Sequence, residues 1–328
     1  MQPENGMYKG DSMQKFDVTA LGELLIDFTY AGQSTNGAAL FEQNPGGAPA
    51  NVLTAVRRLG GNAAFIGKVG RDMHGEFLEQ TLQKNGIDTE GLLMDENSFT
   101  TLAFVNLDEN GDRSFSFARK PGADTCLHLN EVRFDLIESS FIFHIGSLSL
   151  TDEPVRSATL AALCFAREKG VIISYDPNYR AMLWKDEKTA AAQMRSVLPF
   201  ADVIKLSDEE LLLVTGETDP SKAASVLLAQ GISCVLITCG AEGAIVSTQT
   251  GTVTSPAQKV KVIDTTGAGD AFMGGFLYML SAERKSPSAL TLSDARRYAE
   301  FAGRVAACCV SHRGAICAMP TMEEVKRQ

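Results

Sequence analysis

Asp264-Thr265-Thr266-Gly267-Ala268-Gly269-Asp270-Ala271-Phe272-Met273-Gly274-Gly275-Phe276 decides how the chain is read. Gly267 and Gly269 punctuate a turn that runs straight into an apolar helix, and Asp270 stands in that helix's first turn. Glycine leaves main-chain N–H groups uncovered, and a helix start gathers unpaired donors and the positive end of the dipole. Such a place suits an anion, phosphate above all. A carboxylate beside a phosphate is unfavourable unless it acts there, for instance by taking the proton of a hydroxyl that attacks phosphorus. The dipole alone also favours Asp at a helix start. Two details favour chemistry. Gly274 and Gly275 lie inside the helix, where each costs about 1 kcal/mol relative to Ala, so something approaches closely. Asp264 also places a second carboxylate ahead of the glycines.

The 328 residues are 45% hydrophobic and 21% charged, ordinary for a globular protein, with a formal net charge of −10. An acidic chain without a Lys/Arg cluster argues against nucleic acid or an anionic membrane as partner. No window holds the ~18 apolar residues that span a bilayer, and residues 1–14 lack a signal-peptide core. That stretch is read as an extension, disordered, with residues 15–328 as a single domain. The seven cysteines show no C-x-x-C spacing, and the four histidines no ligand spacing. Reduced core cysteines in a cytoplasmic protein explain the first, and a buried pocket-floor residue explains His144.

Short apolar runs at 18–28, 63–69, 141–145, 171–175, 202–206 and 234–238 read as strands. Amphipathic stretches at 50–59, 75–84, 153–168, 187–197, 209–215 and 221–229 read as helices. Strands separated by helix-length segments imply β-α-β crossovers and a parallel sheet covered on both faces. One region departs from this: 100–107 and 113–118 flank Asp108-Glu109-Asn110-Gly111-Asp112, whose Asn-Gly pair signals a hairpin. It reads as a lid or oligomer contact, or as a surface ornament.

A second glycine cluster, Asn44-Pro45-Gly46-Gly47-Ala48-Pro49-Ala50-Asn51, opens a helix. Upstream, Gly22-Glu23-Leu24-Leu25-Ile26-Asp27 reads as a strand ending at Asp27. Ligands collect outside the carboxyl ends of parallel strands. Asp27, Gly47 and Asn51 therefore suit a polyhydroxylated ligand, although Gly-Gly-x-Pro also makes an ordinary turn. Ser207-x-x-Glu210 after a strand suits magnesium through water, or a capping box with no metal. Thr238-Cys239-Gly240-Ala241-Glu242-Gly243 is another place for bare amides to meet phosphate. Gly61–Val69 misses the Walker A pattern, and no G-x-G-x-x-G follows a strand.

With both glycine clusters in place, the chain resembles the ribokinase-like (PfkB) sugar kinases from about residue 15 to 325. Gly46–Asn51 through Gly60 and Gly70 resembles that family's first signature, and Asp264–Phe276 its second. Gly22–Asp27, Gly67-Lys68-Val69-Gly70-Arg71-Asp72, Pro121-Gly122-Ala123-Asp124 and Asp176-Pro177-Asn178-Tyr179-Arg180 are similar to fructokinases within it.

The resemblance implies a three-layer α/β/α sandwich with a mainly parallel central sheet, and a small β-sheet lid near 28–42 and 98–119. It implies transfer of the ATP γ-phosphoryl to a primary sugar hydroxyl, the 6-hydroxyl of fructose; the apolar residues of the lid hairpin, for their part, suit a homodimer. Asp270 would be the general base, and Gly267, Ala268 and Gly269 would hold developing charge. Asp27, Gly46, Gly47, Asn51 and Arg180 would contact sugar. Lys205, Glu210, Thr238, Gly240 and Gly243 would bind nucleotide phosphates or Mg2+, and Asp264 and Thr266 would bind K+ through backbone oxygens. Two positions depart from the family: Ser207 stands where Asn is usual, and Gly303 where many fructokinases have Asn, which loosens adenine recognition. The alternatives are a 2-keto-3-deoxygluconate kinase, with Arg180 or Arg119 on the substrate carboxylate, a ribose or nucleoside kinase, and a non-enzymatic sugar sensor.

Overall fold

The apolar run read as one strand across 18–28 is two strands in two different sheets. In the computed structural model, which describes residues 14–107 and 113–328, β1 (Phe16–Leu21) lies in a large sheet and β2 (Leu25–Gln33) in a small one. The break falls at Gly22–Leu24, where a Cβ on Gly22 would meet the Pro49 ring at 2.5 Å. The close approach of the next helix therefore requires glycine at the corner. The extension and the Asp108–Asp112 turn of the sequence reading lie outside the described residues, apart from Gln14.

After β3 (Ala39–Gly46) come β4 (Ala63–Gly70), β5 (Asp88–Asp95), β6 (Leu102–Leu107), β7 (Arg113–Ala118) and β8 (Ser140–Gly146). The rest are β9 (Ile172–Asp176), β10 (Val203–Ser207), β11 (Cys234–Thr238), β12 (Ala244–Thr248) and β13 (Gly251–Ser255). The large sheet runs β13-β12-β11-β10-β9-β8-β1-β4-β5. From β5 to β11 every pairing is parallel; β12 and β13 close one edge antiparallel.

Helices on both faces explain the continuous apolar strands. Along β8, β9 and β11, Phe143, Ile173 and Val235 enter one core, while their neighbours Ile142, Ile172 and Leu236 enter the other. Helices Val155–Glu168, Glu187–Ser196 and Pro220–Ala229 cover the first face. Helices Ala48–Arg58, Ala268–Ala282 and Leu292–Val310 cover the second. The two interior glycines of Ala268–Ala282 answer to these neighbours. A Cβ on Gly274 would meet Ala55 Cβ at 2.5 Å, and one on Gly275 would meet Val305 Cγ2 at 3.0 Å.

The small sheet runs β3-β2-β6-β7, with β2 and β6 parallel and both outer pairings antiparallel. Ile26, Ala103 and Val105 are buried, Phe28 stacks on Phe104 with centroids 5.3 Å apart, and Tyr30, Leu40 and Phe41 are exposed. Past the end of β7, Arg119 is held in the body by Asp124 Oδ2 at 2.8 Å, the Leu148 carbonyl at 2.8 Å and Thr151 Oγ1 at 3.0 Å.

Candidate active site

The carboxyl ends of β1, β8, β9, β10 and β11 open onto one cleft of about 1160 Å³. That is ample for two small ligands side by side. Two groups of residues line it. Asp27, Asn44, Gly47 and Asn51 form one, at the junction of the sheets; Ser255–Val260, Val262, Gly303, Ala306 and Val310 form the other. The helix Ala268–Ala282 starts where they meet, because its Asp270 bonds to Asn51 of the first group and follows Val262 of the second.

Gly267 adopts the left-handed conformation, φ 77°, as the residue before this helix, and no side chain caps it. The Ala268 amide is used within the turn by Thr265, whereas first-turn amides such as those of Gly269 and Asp270 have no intrahelical acceptor. A Cβ on Gly269 would lie 3.2 Å from Lys205 Nζ, so glycine lets that ammonium reach the helix start. Lys205 in turn pairs with Asp176 Oδ2 at 2.6 Å, both side chains buried. Burial opposes the lysine's charge, but Asp176 and then Glu210 outweigh it and hold its pKa above the usual value.

Asp270 is 7% exposed. Its Oδ2 accepts from Asn51 Nδ2 at 2.7 Å and its Oδ1 from Asn178 Nδ2 at 3.3 Å. Burial, reinforced by Asp176, pushes its pKa up to about 6 against the pull of Asn51, Lys205 and Arg180. This is a carboxylate made more basic than a solvated one yet still ionised at neutral pH, which suits proton abstraction. Asp27 is also pushed up to about 6 by burial, with Arg180 opposing and Asp270 adding.

The remaining sequence candidates divide as follows. Asp27 does not end a strand of the large sheet; it is the third residue of β2, because the chain has already changed sheets at Gly22–Leu24. Gly47 lines the cleft with φ 116°, and its Cβ would collide with the Glu23 carbonyl. Gly46 stands behind Asp27, whose carboxylate a Cβ there would strike, and is not among the lining residues. Arg180 is exposed, lines the cleft and donates to the Tyr179 carbonyl at 3.0 Å.

Thr238, Gly240 and Gly243 line the second group's side, and a Cβ on Gly243 would come within 2.6 Å of the Ala257 amide. Glu210 forms the capping box with Ser207, and its other oxygen accepts the Tyr179 amide at 2.7 Å. Asp264 Oδ1 accepts from Thr266 N and Oγ1, and its Oδ2 from Gly314 N at 3.0 Å. Arg119, weighed in the sequence as a partner for a substrate carboxylate, is buried on Asp124 and lies outside the lining residues. His144 sits buried on Ser174 Oγ at 3.0 Å, and burial with Lys205 nearby pushes its pKa down to about 3.

Sequence reasoning gave no role to Asn178 or Asp176. Asn178, at φ 47°, has the left-handed backbone that Asn tolerates better than most residues, which turns its amide onto Asp270. The available signal was position: Asp176-Pro177-Asn178 closes a buried strand at the same sheet edge as the other candidates.

Fructokinase-2 of Oryza sativa subsp. japonica is 42% identical over 309 residues, covering 93% of this chain and 91% of its own. A fructokinase from Xylella fastidiosa, solved with bound ATP, superposes with a TM-score of 0.87 at 36% identity, covering 95% of this chain and 97% of its own. A fructokinase from Vibrio cholerae O395, solved with fructose, ADP and calcium ion, gives 0.85 at 34% identity, covering 96% and 99%. Residues 15–322 match the pfkB family of carbohydrate kinases, so both glycine signatures fall inside the match and the chain belongs to that family.

Proposed function

We propose that this protein transfers the γ-phosphoryl group of ATP to the 6-hydroxyl of D-fructose, with Asp270 as the general base. One observation carries the reading: a buried carboxylate, fixed by Asn51 and Asn178, stands at a helix start where the Gly269 and Asp270 amides have no intrahelical acceptor. Phosphoryl transfer depends on positioning and charge stabilisation more than on covalent help. Asp270 takes the proton of the attacking hydroxyl while the Gly267-Ala268-Gly269 turn presents main-chain donors to the migrating group, the Gly269 amide foremost because that of Ala268 is used by Thr265. Lys205 adds positive charge from beneath Gly269. Asp27, Gly47, Asn51 and Arg180 hold the sugar, with Gly46 backing Asp27; Thr238, Gly240 and Gly243 hold the nucleotide phosphates. The domain is 15–328, and the small sheet is its lid, excluding water from the reaction.

Among the described residues no group of three His, Cys, Asp or Glu is arranged to hold a metal. Magnesium therefore arrives with the nucleotide, held by phosphates and water, with Glu210 reached through water. It would supply charge neutralisation of the phosphates. Asp264 and Thr266, which line the cleft just ahead of the helix start, are the residues that would hold a weakly hydrated cation such as K+ through backbone oxygens. Exposed Tyr30, Leu40 and Phe41 support a homodimer through the lid, and seven free thiols support a cytoplasmic setting.

Asp270→Asn is expected to lower turnover by roughly 10²–10⁴ while ATP still binds; near-normal turnover in the folded variant refutes the role. ADP release with a panel of sugars tests the acceptor, and a keto acid preferred over fructose would overturn it. Potassium buffers are expected to give faster turnover than sodium buffers, and equal rates would remove the ion.

A further inference from the structure

Glu23 has no part in the reading above, yet it is the carboxylate on the floor of the cleft. It follows β1, is 3% exposed and still lines the cleft. Its Oε1 accepts the amide of Ala48, the first residue of helix Ala48–Arg58, at 2.9 Å. Its Oε2 is buried and has no hydrogen-bond partner. Opposite stands Gly146, at the end of β8. A Cβ there would lie 4.0 Å from Oε2 and from Pro49 Cγ, so glycine leaves about a methyl group of room before the unpaired oxygen.

Asn51 offers the second unfilled position. Its Nδ2 is on Asp270, and its Oδ1 is buried and unpaired. Ala48 and Asn51 are three residues apart on one helix, hence on one face, about 4.5 Å apart along its axis. Glu23 and Asp270 are thus held at successive points of that first turn, with Asn51 Oδ1 beside them. Both vacant atoms are acceptors. Leaving a buried acceptor unmatched is costly, and what matches two of them is a molecule that presents O–H donors. Burial pushes the Glu23 carboxyl up to about 7 despite the Ala48 amide and Arg119, as expected for a group whose oxygen waits for a partner.

We propose that Glu23 is a sugar-binding residue, whose Oε2, together with Asn51 Oδ1, accepts hydroxyl groups of the acceptor other than the one Asp270 deprotonates. It selects a polyol with hydroxyls at those positions. This rests on the kinase reading above.

The test compares wild type and Glu23→Gln on D-fructose and a set of singly deoxygenated fructoses, with ATP. The glutamine carbonyl still accepts the Ala48 amide, so the helix start is kept. Glu23→Gln is expected to raise the sugar KM about 10-fold or more, with kcat within a few-fold and the ATP KM unchanged. One deoxygenated sugar loses about as much with wild type and loses nothing further with the variant, a coupling that a purely structural cap does not produce. An unchanged sugar KM, or penalties that simply add for every deoxygenated sugar, overturns the assignment of Glu23 alone. A wild-type protein that phosphorylates none of the sugars overturns the kinase reading, and this assignment with it.

Discussion

The burial of one aspartate sets the working pH. Asp270 must be ionised to accept a proton, and its pKa stands at about 6 against 3.8 for a free side chain, raised first by burial and then by Asp176. The profile of kcat/KM for the sugar, which reports the free protein, is therefore expected to fall as pH drops through about 6. Asp27, also near 6, steepens that limb. The same shift acts on stability with a definite sign. Between 3.8 and about 6 the folded state holds the proton more tightly than the unfolded one, so stability decreases as pH rises through that window. Two pKa units correspond to roughly 3 kcal/mol. Thermal melts from pH 4 to 8 should show Asp270→Asn losing less stability than wild type over this range. Parallel curves would mean the carboxylate is not strained by its burial.

At the scale of elements, the site depends on how closely two helices cross. Asn51 reaches Asp270 only because Ala48–Arg58 and Ala268–Ala282 pack at Gly274, where a Cβ would meet Ala55 Cβ at 2.5 Å and the Val52 carbonyl at 2.9 Å. Main-chain atoms cannot yield as a flexible side chain does. Gly274→Ala, a surplus methyl in a packed core, is expected to destabilise by about 1–3 kcal/mol and to lower kcat by separating Asn51 from Asp270. A folded variant with full stability and full kcat would contradict this. The close approach was legible in the sequence, because glycine inside a helix carries a cost that only packing repays. Strands buried on both faces were legible for a similar reason, as continuous apolar runs. The edge strands were not: β13, Gly251–Ser255, has one side open and reads as a polar stretch. Nor was the change of sheet at Gly22–Leu24, where apolar residues resume directly after Gly22 and Glu23 and contact with Pro49 marks the corner. Asn178's bond to Asp270 joins positions 92 residues apart, which no local pattern records.

For the whole molecule, the cleft is lined by both sheets, and the two ligands are expected to lie side by side in it, the sugar against the small sheet. Fructose together with a non-hydrolysable ATP analogue should raise the melting point more than either alone; occupancy at 100 times Kd is worth about 2.7 kcal/mol per site. Amide exchange in β2 and β3 should slow along with it. Protection confined to the large sheet would show that the small one does not close over the ligands. The small sheet leaves the body at Gly22–Leu24, returns at Gly47, leaves again before Leu102 and returns at Arg119, which is buried on Asp124. A flap sewn along one margin by four threads does not flutter like a loop. The lid proposed above would swing about that seam, and a substitution at Gly22 or Arg119 is expected to alter the rate of opening without touching either bound molecule.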